Sequence, residues 1–155
     1  MVLDNLPFSI DNELHIEKVC EYIKNVKKHV SVLNISGNLL SLESIKMLSF
    51  NGINRNNSLI KLVVSNTALN KGSIEFLLDN ILRWNQSLID IDLSNNPAQK
   101  HLENKIGSNS GSAAIAHFMA KSRYLQFINL KGINLSGEGI KQVLFSILFE
   151  RGLLI

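Results

Sequence analysis

The sequence predicts an α/β fold: a short solenoid with a parallel β-sheet on its concave side and α-helices on its convex side. A short segment recurs along the 155 residues, apolar and polar residues alternate within it, and an amphipathic helical pattern separates the copies. A unit of one strand, one turn and one helix cannot bury its apolar side alone. Neighbouring units are therefore expected to stack, with their strands side by side in one sheet.

The strand prediction comes from the recurring segment, which reads LIKLVVSNTAL from Leu59 and LIDIDLSNNPA from Leu88. Further copies begin at Val30 and Leu125, and a weaker copy begins at Leu3. The steps between these starts are 27, 29, 29 and 37 residues. Since alternate residues of a strand point to opposite faces, the apolar positions of each copy predict one buried face.

The helix prediction comes from the segments between these strands. In SIEFLLDNILRW the apolar residues follow helical steps of three and four, at Ile74, Leu77, Leu78, Ile81 and Leu82. Near the start, DNELHIEKVCEYIKNV suggests a similar stripe through Leu14, Ile16, Val19, Cys20, Ile23 and Val26. Residues 1–29 are therefore predicted to form a degenerate N-terminal repeat with a capping helix, and residues 30–155 to form four repeats with an insertion near 97–112.

With these segments and steps, the chain resembles the leucine-rich repeat family, whose motif is L-x-x-L-x-L-x-x-N-x-L, and its ribonuclease-inhibitor-like subtype. The resemblance implies a helix in each unit, a binding function without chemistry, and an Asn that bonds backbone groups of the turn. Asn38 and Asn96 stand at that position, whereas Thr67 and Ile133 depart from the motif. Thr67 is expected to replace the Asn in part, and the turn at Ile133 is expected to be rebuilt around Asn134.

The composition excludes several classes of function. The formal net charge is +3 and the lysines are scattered apart from one probable helix end, so no nucleic-acid partner is expected. Cys20 is the only cysteine, which excludes an intrachain disulfide and a thiolate metal cluster. The start carries no secretory pattern, and the apolar run VLFSILF is too short to span a bilayer. We therefore expect a cytoplasmic protein without membrane association.

Asp90 and Asp92 raise the question of a catalytic metal site. Strand alternation places both carboxylates on the concave face, where Lys61 neighbours Asp90 in the same row. A cation site needs several oxygen ligands that converge in a pocket, and these rows contain no third carboxylate and no histidine. We predict no metal, no cofactor and no enzymatic activity. A metal-dependent enzyme that uses the two aspartates is the weaker alternative.

The favoured function is a protein–protein interaction module that binds a macromolecular partner through the concave face. One aromatic side chain among mixed charges is typical of a binding hot spot. The 97–112 insertion is predicted to lie at one rim of the sheet and to contribute contacts, since insertions in repeats often mark the binding side. The predicted contact residues are Lys61, Asp90, Asp92, Phe127, Asn129, Lys131, Lys100 and His101.

Further expectations concern the setting of the chain. The alternative function is a structural fragment of a larger multidomain protein. The Asn-, Ile- and Lys-rich composition suits an AT-rich genome, of a protist or an intracellular bacterium, and hints at an effector delivered into a host cytoplasm. The final residues LLI fall where another strand would begin, which predicts self-association through the C-terminal end of the solenoid, or truncation. Cys20 and Trp84 are expected to serve packing rather than contact with a ligand.

Overall fold

The computed structural model of the chain describes residues 13–25, 29–96 and 111–150. Helices and short strands alternate along these residues. The strands are β1 Val32–Asn34, β2 Lys61–Val63, β3 Asp90–Asp92 and β4 Phe127–Asn129. The helices are α1 Glu13–Ile23, α2 Leu42–Met47, α3 Lys71–Trp84, α4 Ser112–Lys121 and α5 Gly137–Phe145. After α2 the chain continues through a π-helical turn, Leu48–Gly52, and a 3-10 turn, Ile53–Arg55; after α5 it continues through a π-helical turn, Ser146–Glu150.

The four strands form one parallel sheet in the order β1-β2-β3-β4. Their central residues lie in register, with Leu33 beside Leu62, Leu62 beside Ile91, and Ile91 beside Ile128. A helix lies between each strand and the next along the chain. The predicted α/β class and the four strands that belong to the copies starting at 30, 59, 88 and 125 are therefore confirmed. The weaker copy at residue 3 and the final LLI lie outside the described residues.

The core lies between the sheet and the helices. The central strand residues Leu33, Leu62 and Ile91 are fully buried. Four of the five residues of the predicted apolar stripe of α3 are buried as well, namely Ile74, Leu77, Leu78 and Ile81, and Leu82 is partly buried against the core. One sheet face and one side of each helix thus form a single apolar layer, which is the arrangement that the alternation predicts.

In α1 the predicted buried stripe is confirmed at four positions, which are Ile16, Val19, Cys20 and Ile23. Leu14 does not belong to it, because its side chain is 55% exposed. Leu14 stands two positions before Ile16, and residues two positions apart on a helix point in nearly opposite directions. Its inclusion in the stripe was wrong for that geometric reason, and Val26 lies outside the described residues.

Side-chain caps fix where three of the helices begin. The side-chain oxygens of Ser41, Asn70 and Ser136 each accept a hydrogen bond from the backbone N–H three residues ahead, at 3.1, 2.9 and 3.0 Å. Such a bond satisfies one of the N–H groups that the first turn leaves without a partner. In α4 the cap residue is Gly111, which has a left-handed backbone and forms no side-chain bond. The helix that follows the 97–112 insertion therefore starts in a different way.

The turn after each strand repeats one backbone conformation. Gly37, Asn66, Asn95 and Gly132 stand at the same place in successive units, and their φ angles lie between 53° and 72°. This left-handed region is open to glycine and is accessible to asparagine at a modest cost. The turn therefore requires a residue that tolerates a left-handed backbone at this position. The alternation of apolar residues did not indicate this requirement.

Asn96 joins two turns through its fully buried side-chain amide. Its Oδ1 accepts bonds from the backbone N–H groups of Thr67 and Leu69, at 2.9 and 3.1 Å. Its Nδ2 donates to the carbonyl oxygens of Val64 and Leu93, both at 2.8 Å. These bonds fix the turn after β2 against the turn after β3, because they satisfy buried backbone groups of both turns.

The two departures from this asparagine have different outcomes. The Thr67 hydroxyl donates to the Val64 carbonyl oxygen at 2.8 Å, so the prediction that Thr67 replaces the Asn in part is confirmed. Ile133 is buried, and its backbone N–H closes the last turn on the Leu130 carbonyl oxygen at 3.4 Å. The neighbouring Asn134 is exposed and takes a left-handed conformation, with φ 56°.

Two further asparagines, Asn56 and Asn85, stand 29 residues apart and hold the ends at which the chain enters the strands. Asn56 donates from Nδ2 to the carbonyl oxygens of Ile23 and Val30, at 3.1 and 2.9 Å. Asn85 donates to those of Ile53 and Asn56, at 3.3 and 3.2 Å. Each amide binds backbone of the preceding unit. Side-chain amides therefore hold the helix-to-strand connections in place, as they hold the strand-to-helix turns.

Within the described ranges, none of the helices has the length and the apolar character needed to cross a bilayer.

Replacing Asn96 with Ala is expected to lower the free energy of unfolding by about 3 kcal/mol or more, because several buried backbone groups lose their partner at about 1–3 kcal/mol each. Urea unfolding followed by circular dichroism measures this change. Asn57→Ala serves as the control, because Asn57 is exposed and its loss should cost less than about 0.5 kcal/mol. If the two variants are equally stable, the Asn96 side chain does not hold the two turns together.

Gly132→Ala is expected to destabilise the chain by at least about 1 kcal/mol, since a non-glycine residue in the left-handed region costs about that much. Its φ is +72°, and an added Cβ would stand 2.7 Å from the Asn95 Oδ1. Gly137→Ala is the matched control, because nothing lies within 4 Å of the Cβ position there. Thermal unfolding of both variants measures the difference, and a Gly132 variant as stable as the Gly137 variant would exclude a conformational requirement.

Candidate functional site

The sheet face that points away from the helices is the candidate site. Since Leu33, Leu62 and Ile91 point into the core, the residues on either side of each point the other way. We call this surface the open sheet face and define it by Val32, Asn34, Lys61, Val63, Asp90, Asp92, Phe127 and Asn129. The register aligns these side chains in two rows across the sheet.

The first row contains an ion pair in its middle. Lys61 and Asp90 stand opposite each other in β2 and β3, and their Nζ and Oδ2 atoms are 2.7 Å apart. Hydrogen bonding and the charge of Asp90 raise the pKa of Lys61 above its ordinary value. Both side chains keep partial contact with solvent, so the pair adds little to stability. Its effect on the surface is to hold two opposite charges in fixed places.

Phe127 ends the same row on β4. Its backbone stands in register with Asp90, and its side chain is 62% exposed. A large aromatic side chain left in water beside a fixed ion pair is the composition of a binding hot spot. Val32, which is 38% exposed, adds apolar surface at the other end of this row.

The second row has a structural role that the sequence analysis missed. The Oδ1 of Asp92 accepts from the backbone N–H of Ser94 at 2.8 Å, and the Oδ1 of Asn129 accepts from that of Lys131 at 3.1 Å. Asn34 makes the same bond to Ser36, at 3.0 Å. These side chains start the turn that leads the chain out of each strand. An Asp or Asn at the last strand position of three units was the available signal.

The second row also carries a link across the sheet. Asn129 donates from Nδ2 to the Oδ2 of Asp92 at 3.0 Å. Both carboxylate oxygens of Asp92 are therefore engaged, and one carboxylate oxygen of Asp90 is held by Lys61. Over the part of the chain that the structure describes, no group of three or more His, Cys, Asp or Glu residues stands ready to hold a metal ion.

The structure brings five of the predicted contact residues together on the open sheet face, namely Lys61, Asp90, Asp92, Phe127 and Asn129. Lys131 lies two residues beyond β4 and is exposed at the rim. Lys100 and His101 lie outside the described residues, as does most of the 97–112 insertion. Asp92 and Asn129 are held in place by the turns, so their freedom to reorient towards a partner is small.

Cys20 and Trp84 were both assigned to packing, and only the first assignment is confirmed. Cys20 is buried, burial raises the pKa of its thiol to about 11, and its Sγ donates to the Met47 carbonyl oxygen at 3.6 Å. Trp84 is 62% exposed at the end of α3, so its packing role was wrong. It lines a groove of about 410 Å³ together with Phe50. The helical period of α3 does not show where its last residue will point.

The C-terminal helix also exposes large apolar side chains. Ile140, Leu144 and Phe145 of α5 are each about half exposed. Phe145 stacks on Phe149 of the following π-helical turn, with ring centroids 4.3 Å apart. The predicted self-association through this end of the molecule stays a prediction.

Comparison with known proteins identifies a shared fold. No family model and no curated protein matches the sequence. A solved structure of leiomodin-1 actin-binding site 2 is similar, with a TM-score of 0.63 and 11% identity over 97% of this chain and 83% of that chain. A tropomodulin C-terminal domain from Caenorhabditis elegans gives a TM-score of 0.47 and 16% identity over 88% of this chain and 93% of that chain.

These findings correct the family assignment. The resemblance to ribonuclease-inhibitor-like leucine-rich repeats was wrong: the fold that the chain shares is the small α/β fold with a parallel sheet seen in the leiomodin-1 structure. The recurring segment does describe the strands and their register correctly. A motif of alternating leucines reports how strands stack, and it does not identify the family.

Proposed function

We propose that this chain is a protein-binding module without enzymatic activity, and that its partner binds on the open sheet face. One observation carries the proposal: Phe127 is exposed in register with Asp90, which is itself fixed by the ion pair with Lys61. A partner that covers Phe127 removes a large apolar surface from water, and the two fixed charges favour one orientation of that partner.

The rigidity of the face favours binding as well. The strands are held at one end by Asn56 and Asn85 and at the other by Asn96. Asp92 and Asn129 are further fixed by their bonds to the turns. A preformed surface loses little conformational entropy when a partner docks on it.

Actin is the first partner to consider. The leiomodin-1 structure that shares this fold is named as an actin-binding site, and it is matched over most of its length. Shared fold does not fix function, so the support for actin is an analogy that the binding experiment must decide. The surface that we assign to actin here is the open sheet face.

Two further statements belong to this proposal. We infer that the units stack as a short solenoid with the open sheet face as its inner surface, which the sequential parallel order of the strands supports. We also place the protein in the cytoplasm, where an actin partner would be met. The interpretation as a delivered effector remains a prediction.

We also propose that the chain works as part of a larger protein. The shared fold is known from one numbered binding site of leiomodin-1, and an interaction module of this size commonly serves within a longer chain. The intact mass of the product isolated from its source cells should exceed the 17.3 kDa of this sequence. A native product of 17.3 kDa would refute this part of the proposal.

The double variant Lys61→Glu, Phe127→Ala is expected to bind actin at least about tenfold more weakly than the unaltered chain, since loss of a hot spot costs about 2 kcal/mol. Isothermal titration calorimetry with purified actin measures the affinity. Phe145→Ala is the matched control, because Phe145 is exposed to 57% but lies on α5.

If no form binds actin, actin is excluded, and the same three proteins are compared in pull-downs from source-cell extract. Equal capture of a partner by the double variant would refute the open sheet face as the site.

The enzyme alternative makes a separate prediction. A metal site at Asp90 and Asp92 requires that millimolar Mg²⁺ or Mn²⁺ raise the melting temperature, by mass action on the folded state. We expect no such rise, because Asp92 is engaged by the turn and by Asn129. Asp79→Asn is the control for Asp92→Asn, since Asp79 is an exposed carboxylate paired with Arg83. A metal-dependent rise that only Asp92→Asn abolishes would favour the enzyme.

A further inference from the structure

The helix layer carries a second surface that the open sheet face does not explain. Phe50 lies in the π-helical turn after α2 and is 50% exposed, and Trp84 ends α3 with 62% of its surface exposed. The two residues line one groove of about 410 Å³. An apolar groove lined by exposed aromatic side chains is a candidate binding surface.

A contact between two aromatic rings fixes the position of one groove residue, Phe50. The ring of Phe50 packs edge-on against Phe76 of α3, with ring centroids 5.5 Å apart and an angle of 80° between the planes. Such edge-to-face contact holds an aromatic ring in one orientation. Phe50 therefore keeps its half-exposed position and does not turn into the core.

A basic depression adjoins the aromatic groove. It has a volume of about 420 Å³ and is lined by Lys24, Asn51 and Arg55, and Arg55 lines the aromatic groove as well. Lys24 and Arg55 are both exposed. Among the ion pairs formed by the described residues, none involves either of these two cations. The two concavities thus combine an apolar cleft with two cations that form no ion pair among the described residues.

The basic residues have an ordinary explanation that does not extend to the aromatics. A cation near a helix C-terminus interacts favourably with the helix dipole, and Lys24 and Arg55 both stand at such ends. The dipole gives no reason for two neighbouring aromatic side chains to remain in water. Asn54 also lines the groove.

We propose that this surface binds a short acidic peptide segment of a partner protein, with a bulky apolar side chain between Phe50 and Trp84 and a neighbouring carboxylate on Arg55 and Lys24. The positive charge of the depression selects an acidic segment, and the volume of the groove suits one or two apolar side chains. Planar guanidinium geometry makes Arg55 the better carboxylate partner of the two cations. This surface is separate from the open sheet face and is independent of what binds there.

The chain contains its own reporter for the test. Trp84 is the only tryptophan of the sequence, so its fluorescence reports directly on this groove. A random library of twelve-residue peptides is selected on the immobilised 155-residue chain, and the most enriched peptide is titrated against the chain in solution. We expect enriched peptides to combine Asp or Glu with Phe, Leu or Trp, and those without Trp to shift the Trp84 emission to shorter wavelength.

Charge and shape are tested by separate variants. Arg55→Glu should weaken binding of the enriched peptide at least tenfold, and higher salt should weaken binding to the unaltered chain. Lys141→Glu is the matched control, because it makes the same charge change at an exposed position of α5 and should leave the affinity unchanged. Phe50→Ala should remove binding, and Phe50→Leu should retain part of it, which separates lost contact from lost folding. Circular dichroism verifies that each variant is folded.

Three results would overturn the proposal. The first is that the selection enriches no peptide above a control selection without protein. The second is that an enriched peptide leaves the Trp84 emission unchanged. The third is that Arg55→Glu does not reduce the affinity for the enriched peptide. A fourth result would overturn it as well, namely an enriched peptide that the Lys61→Glu, Phe127→Ala double variant no longer binds and Arg55→Glu still binds, because that peptide binds on the open sheet face.

Discussion

Buried backbone groups at the ends of the strands need hydrogen-bond partners, and the rest of the structure depends on the side-chain amides that supply them. Asn96 bonds backbone of two neighbouring turns at one end of the strands, while Asn56 and Asn85 bond backbone of the preceding unit at the other end. Each strand has only three residues, so the sheet ladder alone offers few bonds. The amides therefore set the distance and the register between units, and the apolar layer of leucines and isoleucines packs within that frame.

The surface chemistry follows from this register. Because β2, β3 and β4 are aligned residue by residue, Lys61, Asp90 and Phe127 become neighbours although they are far apart in sequence. A shift of one residue would turn these side chains into the core and bring apolar ones to the surface. The same frame places the ends of successive helices side by side, which brings Phe50 next to Trp84 on the other layer. Both proposed binding surfaces are thus products of how the units are stacked.

The sequence predicted the features that depend on local periodicity. Alternation located the four strands and most of the open sheet face, and helical spacing located the buried side of α3, because both patterns record which side of an element meets the core. It did not predict features that depend on contacts between units or on the ends of elements. Asp92 was predicted as a contact residue of the concave face, and its bond to the turn was missed, while Trp84 was taken for a packing residue. The family assignment was wrong because the repeated pattern reflects stacking, which unrelated chains need equally.

The side-chain hydrogen bonds that cross between units join residues 26 to 37 positions apart, throughout the part of the chain that the structure describes. These bonds therefore attach each described unit to its immediate neighbours. A chain organised in this way can gain or lose a whole module by gene duplication or deletion, since the junctions that remain are of the kind already present. On the proposed stacking of units, the length of the molecule and the extent of its sheet follow from the number of modules, since each added module extends the existing core.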